Sequence, residues 1–497
     1  MRRCVILICS FLVGSFVFGA TAKSACAEDD LTNIKTEFLP SREEIQQWHV
    51  LKDAGGPTFS GSASWASYTD FLETKFREHG MVDILKDPFT YHRWFTSDDR
   101  SSGQWSLSVD GEDIPVASYW AYSGSTGPSG VTAPLVYYDK ENPPESLEGK
   151  IVVFEIPSLS RGSSSRAQSD GYEYATDPET FGENTFDHFY QVNYVTRFGK
   201  LGTILKGSNA AGAVVIFRMG PERAAGIYTF PPEKAVIGVP GLYLDRNAGR
   251  VLKEAALAGR DATLTLQAKE EIAEPYLLAG FLPGKNYGNE NDEIVFLITH
   301  TDGPNLSQDD GGLGILGVIQ YFSHIPQEDR PRTLLVYLDP QHYKPEQHAL
   351  DWFEMHPEPT SKIVASIGIE HLGQIEHVER GDDFVRSGLP EITHIFVQDN
   401  DFLIAAAVDA VKQNEVPRTM VQSPPRGGQG TWSGLSDVAL KRHLPGYGIS
   451  AHMSAYWSTE ARIDKFDSDL CFRQIATAVR LTATLMQADL EEMALPE

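Results

Sequence analysis

Residues able to hold a metal ion follow an apolar run in the middle of the chain. The run 294–298 leads into a polar segment that contains His300, Asp302, Asp309 and Asp310. Imidazole and carboxylate groups are the donors that zinc takes in proteins, and a bound zinc ion activates water for hydrolysis. A glycine-rich turn and a helical apolar pattern come next, which is typical of a strand, a loop and a helix. The sequence therefore predicts a metal site at the end of this strand.

Glu370 is a second candidate ligand, because it ends another apolar run at 363–369. A carboxylate in such a place is costly to bury unless it is paired or bound to a metal. His371 follows and alternates to the other side of the strand, where it can belong to the core or to the site. Structural explanations also exist for the first segment: His300 as a hydrogen-bonded interior histidine and Asp302 as a turn residue.

The elements that position these residues alternate between strand and helix after residue 275. Apolar runs predict strands at 294–298, 333–338, 363–369, 392–397 and 447–449, and helical periodicity predicts helices at 312–323, 348–355, 401–413 and 466–487. This alternation predicts an α/β fold, a three-layer sandwich in which helices cover both faces of a mostly parallel central sheet. Ligands of such sheets collect at the carboxyl ends of the strands, which is where His300 and Glu370 fall.

The first part of the chain is predicted to contain two helices and a strand-like segment. Ser41 and Glu44 form a capping box ahead of a helix at 41–53. A second amphipathic pattern predicts a helix at 65–79, and the residues from 81 to 95 alternate as a strand does.

Residues 106–270 differ in texture, with short β-like runs separated by Gly, Pro and Ser. They predict a β-rich module inside a larger chain. Within it the residues from 158 to 200 are predicted to form a long loop, and a further Gly- and Pro-rich loop at 423–433 is long enough to be functional. The predicted segments of the chain after residue 27 are therefore 28–105 and 271–497, which form the α/β domain, and 106–270, which forms the β-rich module.

The composition excludes some partners and indicates a compartment. Lys plus Arg total 42 and Asp plus Glu total 68, which argues against nucleic acid or an anionic membrane as partner. Residues 1–27 are typical of an export signal, so we expect a secreted or periplasmic protein with no later membrane span. Three of the four cysteines fall in that segment, so Cys471 has no disulfide partner and is expected in the core.

Several segments together resemble the zinc-dependent exopeptidase family, which includes aminopeptidase Y-like enzymes, glutamate carboxypeptidase II and the non-catalytic transferrin receptors. The segments, in chain order, are Gly61-Ser62 before a helix, SLEGKIVVFEI at 146–156, NAAGAVVIF at 209–217, THTD at 299–302, SQDDGGLG at 307–314, IEHLG at 369–373 and YWSTEARIDKFD at 456–467. The resemblance implies a peptidase α/β fold, a protease-associated domain inserted at 106–270 and one or two zinc ions. It also implies that Asp310 corresponds to the family's metal-bridging aspartate, beside His300 and Glu370. Asp309 next to it favours a loop or helix-cap position.

The chain departs from this family at two places in the site. Where the family has a pair of glutamates, this strand runs into Asp339-Pro340-Gln341-His342. Where the family has a His after a Tyr, Tyr456 is followed by Trp457. The usual two-metal set is therefore altered, and one ion is the expectation.

Replacement residues for the missing groups follow from the same comparison. His342 is a candidate metal ligand, because imidazole is a good zinc donor. Gln341 stands where the family has its general base but cannot take a proton at neutral pH, so Glu346, Asp309 or His371 are candidates for that role. His452 is a weaker substitute for the missing terminal histidine. We thus predict His300, Asp310, His342 and Glu370 as metal ligands and Asp302, Gln341 and His371 as catalytic-site residues, with Asp302 orienting His300.

Two main hypotheses of function remain open at this stage. The first is an exported metal-dependent hydrolase of amide bonds in peptides or small conjugates, with a homodimer as its candidate assembly. The second is a receptor-type protein that keeps the fold and the cleft but binds without cutting, which the altered positions favour. A changed reaction at a one-metal site is a third. The retained His300, Asp302, Asp310 and Glu370 favour an enzyme, because a pure binding protein has less need of them.

Overall fold

The computed structural model describes residues 30–158, 171–181, 187–231, 236–345, 351–428, 432 and 434–496. The predicted export signal at 1–27 lies outside these residues, as does Glu346. Across the described ranges, no helix combines the length and the apolar character needed to cross a bilayer.

The described part of the chain contains strands throughout its length. The strands are β1 (Val82–Pro88), β2 (Tyr91–Phe95), β3 (Trp105–Val109), β4 (Glu112–Ile114), β5 (Ser118–Tyr119), β6 (Val131–Tyr137), β7 (Ile151–Glu155), β8 (Tyr174–Ala175), β9 (Gly212–Ile216), β10 (Gly241–Leu244), β11 (Asp261–Leu266), β12 (Lys269–Ala273), β13 (Tyr276–Leu282), β14 (Ile294–His300), β15 (Thr333–Asp339), β16 (Ile363–Glu370), β17 (Ile375–Arg380), β18 (Asp383–Pro390), β19 (Thr393–Val397), β20 (Thr419–Gln422) and β21 (Gly446–Ala451).

Helices alternate with many of these strands. They are α1 (Arg42–Gly55), α2 (Ala63–Glu78), α3 (Asp187–Asn193), α4 (Leu201–Leu205), α5 (Pro221–Ala224), α6 (Arg246–Leu257), α7 (Gly311–Ser323), α8 (Trp352–Met355), α9 (Pro357–Thr360), α10 (Asp401–Gln413), α11 (Val438–Lys441) and α12 (Ser468–Gln487). The predicted capping box of α1 is present: Ser41 Oγ accepts from the backbone N–H of Glu44, and the Glu44 side chain accepts from the N–H of Ser41.

The largest sheet of the described residues has nine strands in the order β1-β13-β15-β14-β16-β21-β19-β20-β8. Its centre, β15-β14-β16-β21, is parallel. Both sides of that centre carry antiparallel pairs, β13 on β15 and β19 on β21. The predicted α/β class is confirmed, but the sheet is mixed rather than mostly parallel. The segment that joins β13 to β14 contains no crossover helix, and consecutive strands joined in that way run in opposite directions.

Apolar side chains cover both faces of the central strands. On β14, Val295 and Leu297 belong to a core that includes α7 and α12, whereas Ile294, Phe296 and Ile298 belong to a core on the opposite face with Trp352. This alternation explains why the strand reads as a continuous apolar run in the sequence, since both of its faces are buried.

A second sheet lies earlier in the chain and has the order β4-β3-β11-β6-β7-β9-β10-β5 among the described residues. It accounts for the short apolar runs that predicted a β-rich module, although the module boundaries at 106–270 stay a prediction. The predicted loop at 158–200 is only partly a loop. Its described residues include β8, which pairs with β20 of the first sheet, and α3.

The register between β14 and β16 decides which side chains meet at the carboxyl edge. Ile294 pairs with Ile363, but an irregularity follows, and Ile298 then pairs with Gly368. Continued by two residues, this register sets His300 level with Glu370 and on the same face of the sheet. Without the extra residue Glu370 would face the other way, because successive side chains of a strand point to opposite faces.

Candidate metal centre

His300, Glu370 and His371 come together where β14 and β16 end. Each offers one nitrogen or oxygen atom to a group in which all three atoms lie within 4.8 Å of one another. All three residues are buried, with 1%, 4% and 5% of their surface exposed. Two predicted ligands, His300 and Glu370, therefore meet, and His371, which was predicted as a catalytic-site residue, joins them.

The His300 ring is fixed by a backbone carbonyl. Its Nδ1 lies 2.8 Å from the carbonyl oxygen of Asp302. A carbonyl can only accept, so Nδ1 carries the ring proton and Nε2 keeps its lone pair. Burial lowers the pKa of His300 to about 4, so the ring is neutral at pH 7. A neutral imidazole oriented by a carbonyl is the form that binds metal ions.

His371 reaches the group because its backbone leaves the strand conformation. Its φ of 57° is in the left-handed region, which turns the ring away from the face that strand alternation predicts. Its Nδ1 lies 3.2 Å from the carbonyl oxygen of Ala451 and 2.9 Å from the Tyr456 hydroxyl. Burial, followed by the positive charge of a protonated His300, lowers the pKa of His371 to about 3. This ring too is neutral.

Glu370 brings the negative charge of the group. Its Oε1 accepts a hydrogen bond from the backbone N–H of Leu435 at 2.7 Å, and its Oε2 lies 3.9 Å from Nε2 of His371. Burial raises the pKa of Glu370 to about 7. The backbone of Gly434 lies so close that a Cβ there would be 2.1 Å from Oε2, which only a glycine permits.

The chemistry of these donors fits a zinc ion. Two neutral imidazoles and one carboxylate face one another, and all three are acceptors once the ring protons are given to carbonyls. Acceptors gathered in a buried place need a cation or a proton between them. Three protein donors of the N, N, O type with a fourth position open are the usual set of a catalytic zinc site.

Asp302 positions the site through its backbone. The predicted contact between its carboxylate and the His300 ring is replaced by the carbonyl contact described above. Its two carboxylate oxygens instead accept the backbone N–H groups of His342, at 3.0 Å, and Tyr343, at 2.6 Å. Burial, followed by opposing N–H bonds, leaves the pKa of Asp302 raised to about 7.

His342 lies beside the group rather than within it. Its ring stacks on that of His300, with 4.5 Å between centroids and 29° between planes. Gln341, the residue before it, is also outside the donor group. The backbone N–H of Gln341 donates to the Asp339 side chain at 2.9 Å, and Oε1 of Gln341 is buried without a hydrogen-bond partner. The predicted base Glu346 lies outside the described residues.

Asp310 holds the backbone that carries His371. Its two carboxylate oxygens lie 3.0 and 3.2 Å from the backbone nitrogen of Leu372, which donates to them. Oδ2 also lies 3.5 Å from Nε2 of His49, and both side chains are fully buried. Asp310 is outside the three-residue group. These contacts suit a positioning role, and the ligand role of Asp310 stays a prediction.

Asp309 is paired with a cation of the protein itself. Lys52 Nζ lies 2.5 Å from Asp309 Oδ1 and 3.3 Å from the carbonyl oxygen of Asn305. Burial raises the pKa of Asp309 to about 7 even beside this ammonium group.

Lys52 and His49 were missed by the sequence interpretation, although a signal was present. Ile45, Trp48, His49 and Lys52 form the buried face of α1. The spacing of three and four residues identifies that face from the sequence. A lysine on the apolar face of a helix needs a buried carboxylate as partner. Here that partner is Asp309, in the loop between β14 and α7.

A cavity of about 550 Å³ opens beside the three donors. Its described lining includes Glu370, His371 and His342, together with side chains from α3, from the π-helical turn Tyr194–Phe198 and from the segment 450–457. His452, the weaker substitute of the sequence interpretation, lies on this wall and not in the donor group. The volume is in the range of small-molecule sites, about 300–1,000 Å³.

Only the comparison with solved structures finds proteins similar to this chain. No family model matches this sequence, and no curated protein matches it. Solved structures do match: a "Peptidase M28 precursor" from Shewanella amazonensis has a TM-score of 0.59 and 16% identity over 92% of this chain and 98% of that chain. A zinc aminopeptidase from Bacillus subtilis has a TM-score of 0.57 and 13% identity over 91% and 98% of the two chains. An aminopeptidase from Aneurinibacillus sp. strain AM-1 has a TM-score of 0.55 and 13% identity over 91% and 95%.

The chain therefore has a zinc exopeptidase-like fold. At such low identity the likeness concerns the fold alone, and the roles of the individual side chains rest on the geometry described above.

Replacing Lys52 tests the pairing with Asp309. Lys52→Met is expected to lower the free energy of unfolding by about 3–5 kcal/mol at pH 8, because a buried carboxylate loses its cation. The loss should shrink at pH 5.5. Asp309 has a raised pKa in the folded state, which therefore binds its proton more tightly than the unfolded chain and is stabilised as the pH falls. Urea unfolding at both pH values measures the difference.

Two further variants complete that test. Asp309→Asn in the Lys52→Met background should make the loss of unfolding free energy the same at pH 5.5 and pH 8. Lys441→Met, which breaks an exposed pair with Asp437, should cost less than about 1 kcal/mol. An equal loss from Lys52→Met at pH 5.5 and pH 8 would contradict the pairing.

Asp310 variants separate a positioning residue from a ligand. Asp310→Asn keeps an oxygen that can accept from Leu372, so it should retain zinc affinity within about tenfold. Asp310→Ala removes that acceptor and should lose about 10–100-fold. Competition with a chromogenic chelator gives both affinities, and an equally severe loss in the two variants would instead indicate direct ligation.

Proposed function

We propose that this protein is a zinc-dependent hydrolase of amide bonds in peptides or small acylated compounds, with His300, Glu370 and His371 as the metal ligands. The observation that carries the proposal is the buried set of three acceptor atoms within 4.8 Å, beside an open cavity. The zinc aminopeptidase named among the structures of similar fold supports the same chemistry. We also propose export of the protein, on the strength of residues 1–27.

A bound zinc ion at this place would supply Lewis acidity, polarising a substrate carbonyl and activating water for attack on it. The residues of the chain hold the surroundings ready. The carbonyl groups of Asp302 and Ala451 keep the two ring protons away from the donor atoms, and Leu435 fixes the carboxylate. This leaves little reorganisation to be done when the ion binds.

One ion is proposed rather than two. A second ion would need carboxylates that have no other partner, but Asp309 is paired with Lys52 and Asp310 accepts the backbone N–H of Leu372. The missing glutamate pair at 341–342 removes two more donors. The buried ammonium of Lys52 thus does electrostatically what a second cation would otherwise do for Asp309.

His342 is proposed as the general base. Its ring lies against His300 and on the cavity wall, and its backbone is held by Asp302. A neutral imidazole on a cavity wall is the group that most often serves as general base in enzymes. This assigns His342 a proton-transfer role in place of the predicted metal ligation, and it removes the need for a base at Gln341.

A binding protein without catalysis is the second candidate. The buried amide of Gln341 and the engaged carboxylates Asp309 and Asp310 favour it, because they leave few groups free for catalysis. Turnover of any amide by the zinc-loaded protein would exclude it.

Zinc content tests the ligand set directly. The purified protein is expected to hold about one zinc ion per chain, and His300→Ala, Glu370→Ala and His371→Ala should each weaken binding by more than about 100-fold. His92→Ala, on an exposed strand position, is the matched control. Elemental analysis and chelator competition give the values, and a well-folded protein that takes up no zinc would refute the proposal.

The affinity for zinc should depend on pH in a defined window. Burial raises the pKa of Glu370 to about 7, so below that value one proton must leave before the ion binds. The pKa values of His300 and His371 are lowered by burial to about 4 and about 3, so both rings are neutral there. The association constant should rise about tenfold per pH unit from pH 5 to 7 and then level off. Glu370→Gln should bind more weakly with a flat profile.

The role of His342 is tested by kinetics with the metal in place. His342→Gln should keep zinc but lower kcat by about 10²–10⁴-fold, with the acid limb of the pH–rate profile lost. His92→Gln again serves as control. If His342→Gln loses the metal instead, His342 is a ligand after all.

A further inference from the structure

Arg197 is an unpaired cation on the wall of the cavity. It lies in the π-helical turn Tyr194–Phe198, and its side chain is exposed. Its guanidinium is 5.1 Å from the centre of the Phe230 ring, which also lines the cavity. Among the ion pairs and hydrogen bonds of the described residues, none involves Arg197. A guanidinium held over an aromatic ring and free of carboxylates is well placed to bind one from a ligand.

Asn193, one turn before Arg197, presents a second unsatisfied group. It is fully buried and lines the same cavity. Its Nδ2 donates to the carbonyl oxygen of Phe189 at 2.8 Å, which fixes the amide, and its Oδ1 has no hydrogen-bond partner. Buried polar atoms are almost always paired, so this unpaired acceptor is an unusual feature of the cavity wall next to Arg197.

Another part of the cavity lining is aromatic. Phe396 and Trp432 stack at 6.1 Å with 19° between their planes, and both line the cavity. Such a surface takes a large apolar or aromatic side chain of the ligand.

The charges of the cavity select against a free amino terminus. Glu370 is the one acidic side chain in its described lining, and the proposed function commits that carboxylate to the metal. An ammonium group would therefore find no carboxylate there, while Arg197 and the zinc ion both attract anions. A ligand that carries a carboxylate and no free ammonium group matches these charges.

We propose that the substrates are N-acylated amino acids, or peptides with a blocked amino end, whose released residue is aromatic or large and apolar and carries a free carboxylate bound by Arg197. The proposal rests on the proposed hydrolase function. Hydrolysis adds water across the amide: the hydroxyl joins the acyl carbon, the C–N bond breaks, and the proton goes to the released amino group. The Phe396–Trp432 wall holds the side chain.

Three small compounds test this selectivity with the full-length zinc protein. N-acetyl-phenylalanine carries the carboxylate, N-acetyl-phenylalaninamide lacks it, and phenylalaninamide has a free amino group instead. Calorimetry measures binding of each, and release of acetate or ammonia measures turnover. The wild-type protein should bind N-acetyl-phenylalanine about 10–100-fold more tightly than its amide, the range expected of a charged hydrogen bond.

Variants at Arg197 decide whether the carboxylate is read there. Arg197→Met should abolish the preference for N-acetyl-phenylalanine and leave binding of the amide unchanged, while Arg197→Lys should keep part of it. Arg250→Met, on an exposed face of α6, is the control and should change nothing. A loss of equal size for the acid and the amide would mean a structural role for Arg197 and overturn the proposal.

The outcomes separate this proposal from the hydrolase function. Arg197-dependent binding of the acid without turnover of any compound would refute the hydrolase and keep the carboxylate site. Rapid turnover of phenylalaninamide, unaffected by Arg197→Met, would refute the carboxylate site and keep the hydrolase. If none of the three compounds binds, the proposed carboxylate site is refuted as well.

Discussion

The parallel pairing of β14 with β16, and the one-residue irregularity near its start, is the constraint on which the site depends. It sets His300 level with Glu370 on one face of the sheet. Hydrogen bonds along two neighbouring strands fix that relation more firmly than any side-chain contact could. The next residue, His371, is then turned back by a left-handed backbone. Such a conformation is costly for a residue other than glycine and persists only where the surroundings hold it. Asp310 does so, because it accepts the N–H of Leu372 with both of its oxygens.

Around this edge the protein meets the cost of buried charge in different ways. Asp309 has an ammonium group beside it, and Glu376, farther along the chain, has the guanidinium of Arg418 at 2.9 Å. Asp302 has two backbone N–H groups. Among the described residues Glu370 has a single backbone donor and faces two rings whose protons point elsewhere. A buried carboxylate with one neutral donor is left with an unfavourable charge, which is why Glu370 is proposed here as a metal ligand.

The sequence predicted the scaffold well and the site in part, for physical reasons. Apolar runs buried on both faces are easy to recognise, and α10, predicted at 401–413, is observed as Asp401–Gln413. The hairpin of β17 and β18 was missed because its strands are largely charged and half exposed. His300 and Glu370 were recognisable because polar residues that end apolar strands are few. The position of the His371 ring could not be predicted, because the residue type gives no indication of a positive φ. The partners Lys52 and Asp309 are 257 residues apart, so only the buried face of α1 hinted at them.

At 13–16% identity the similarity to solved structures concerns the fold alone, so the charges at the strand ends are taken from this chain. In this chain two acidic residues of the loop before α7 have partners within the protein: Lys52 pairs with Asp309, and the backbone N–H of Leu372 donates to Asp310. Glu370 is then the carboxylate of the three-residue group that a cation would stabilise. A single divalent ion at the proposed site would more than neutralise its charge. In the described lining of the cavity, Glu370 is the one acidic residue, and Arg197 is a cation. If Glu370 binds the proposed ion, the cavity keeps a net positive charge. Under the proposed function, the same charges govern both the number of ions that the site holds and the substrates that the cavity attracts.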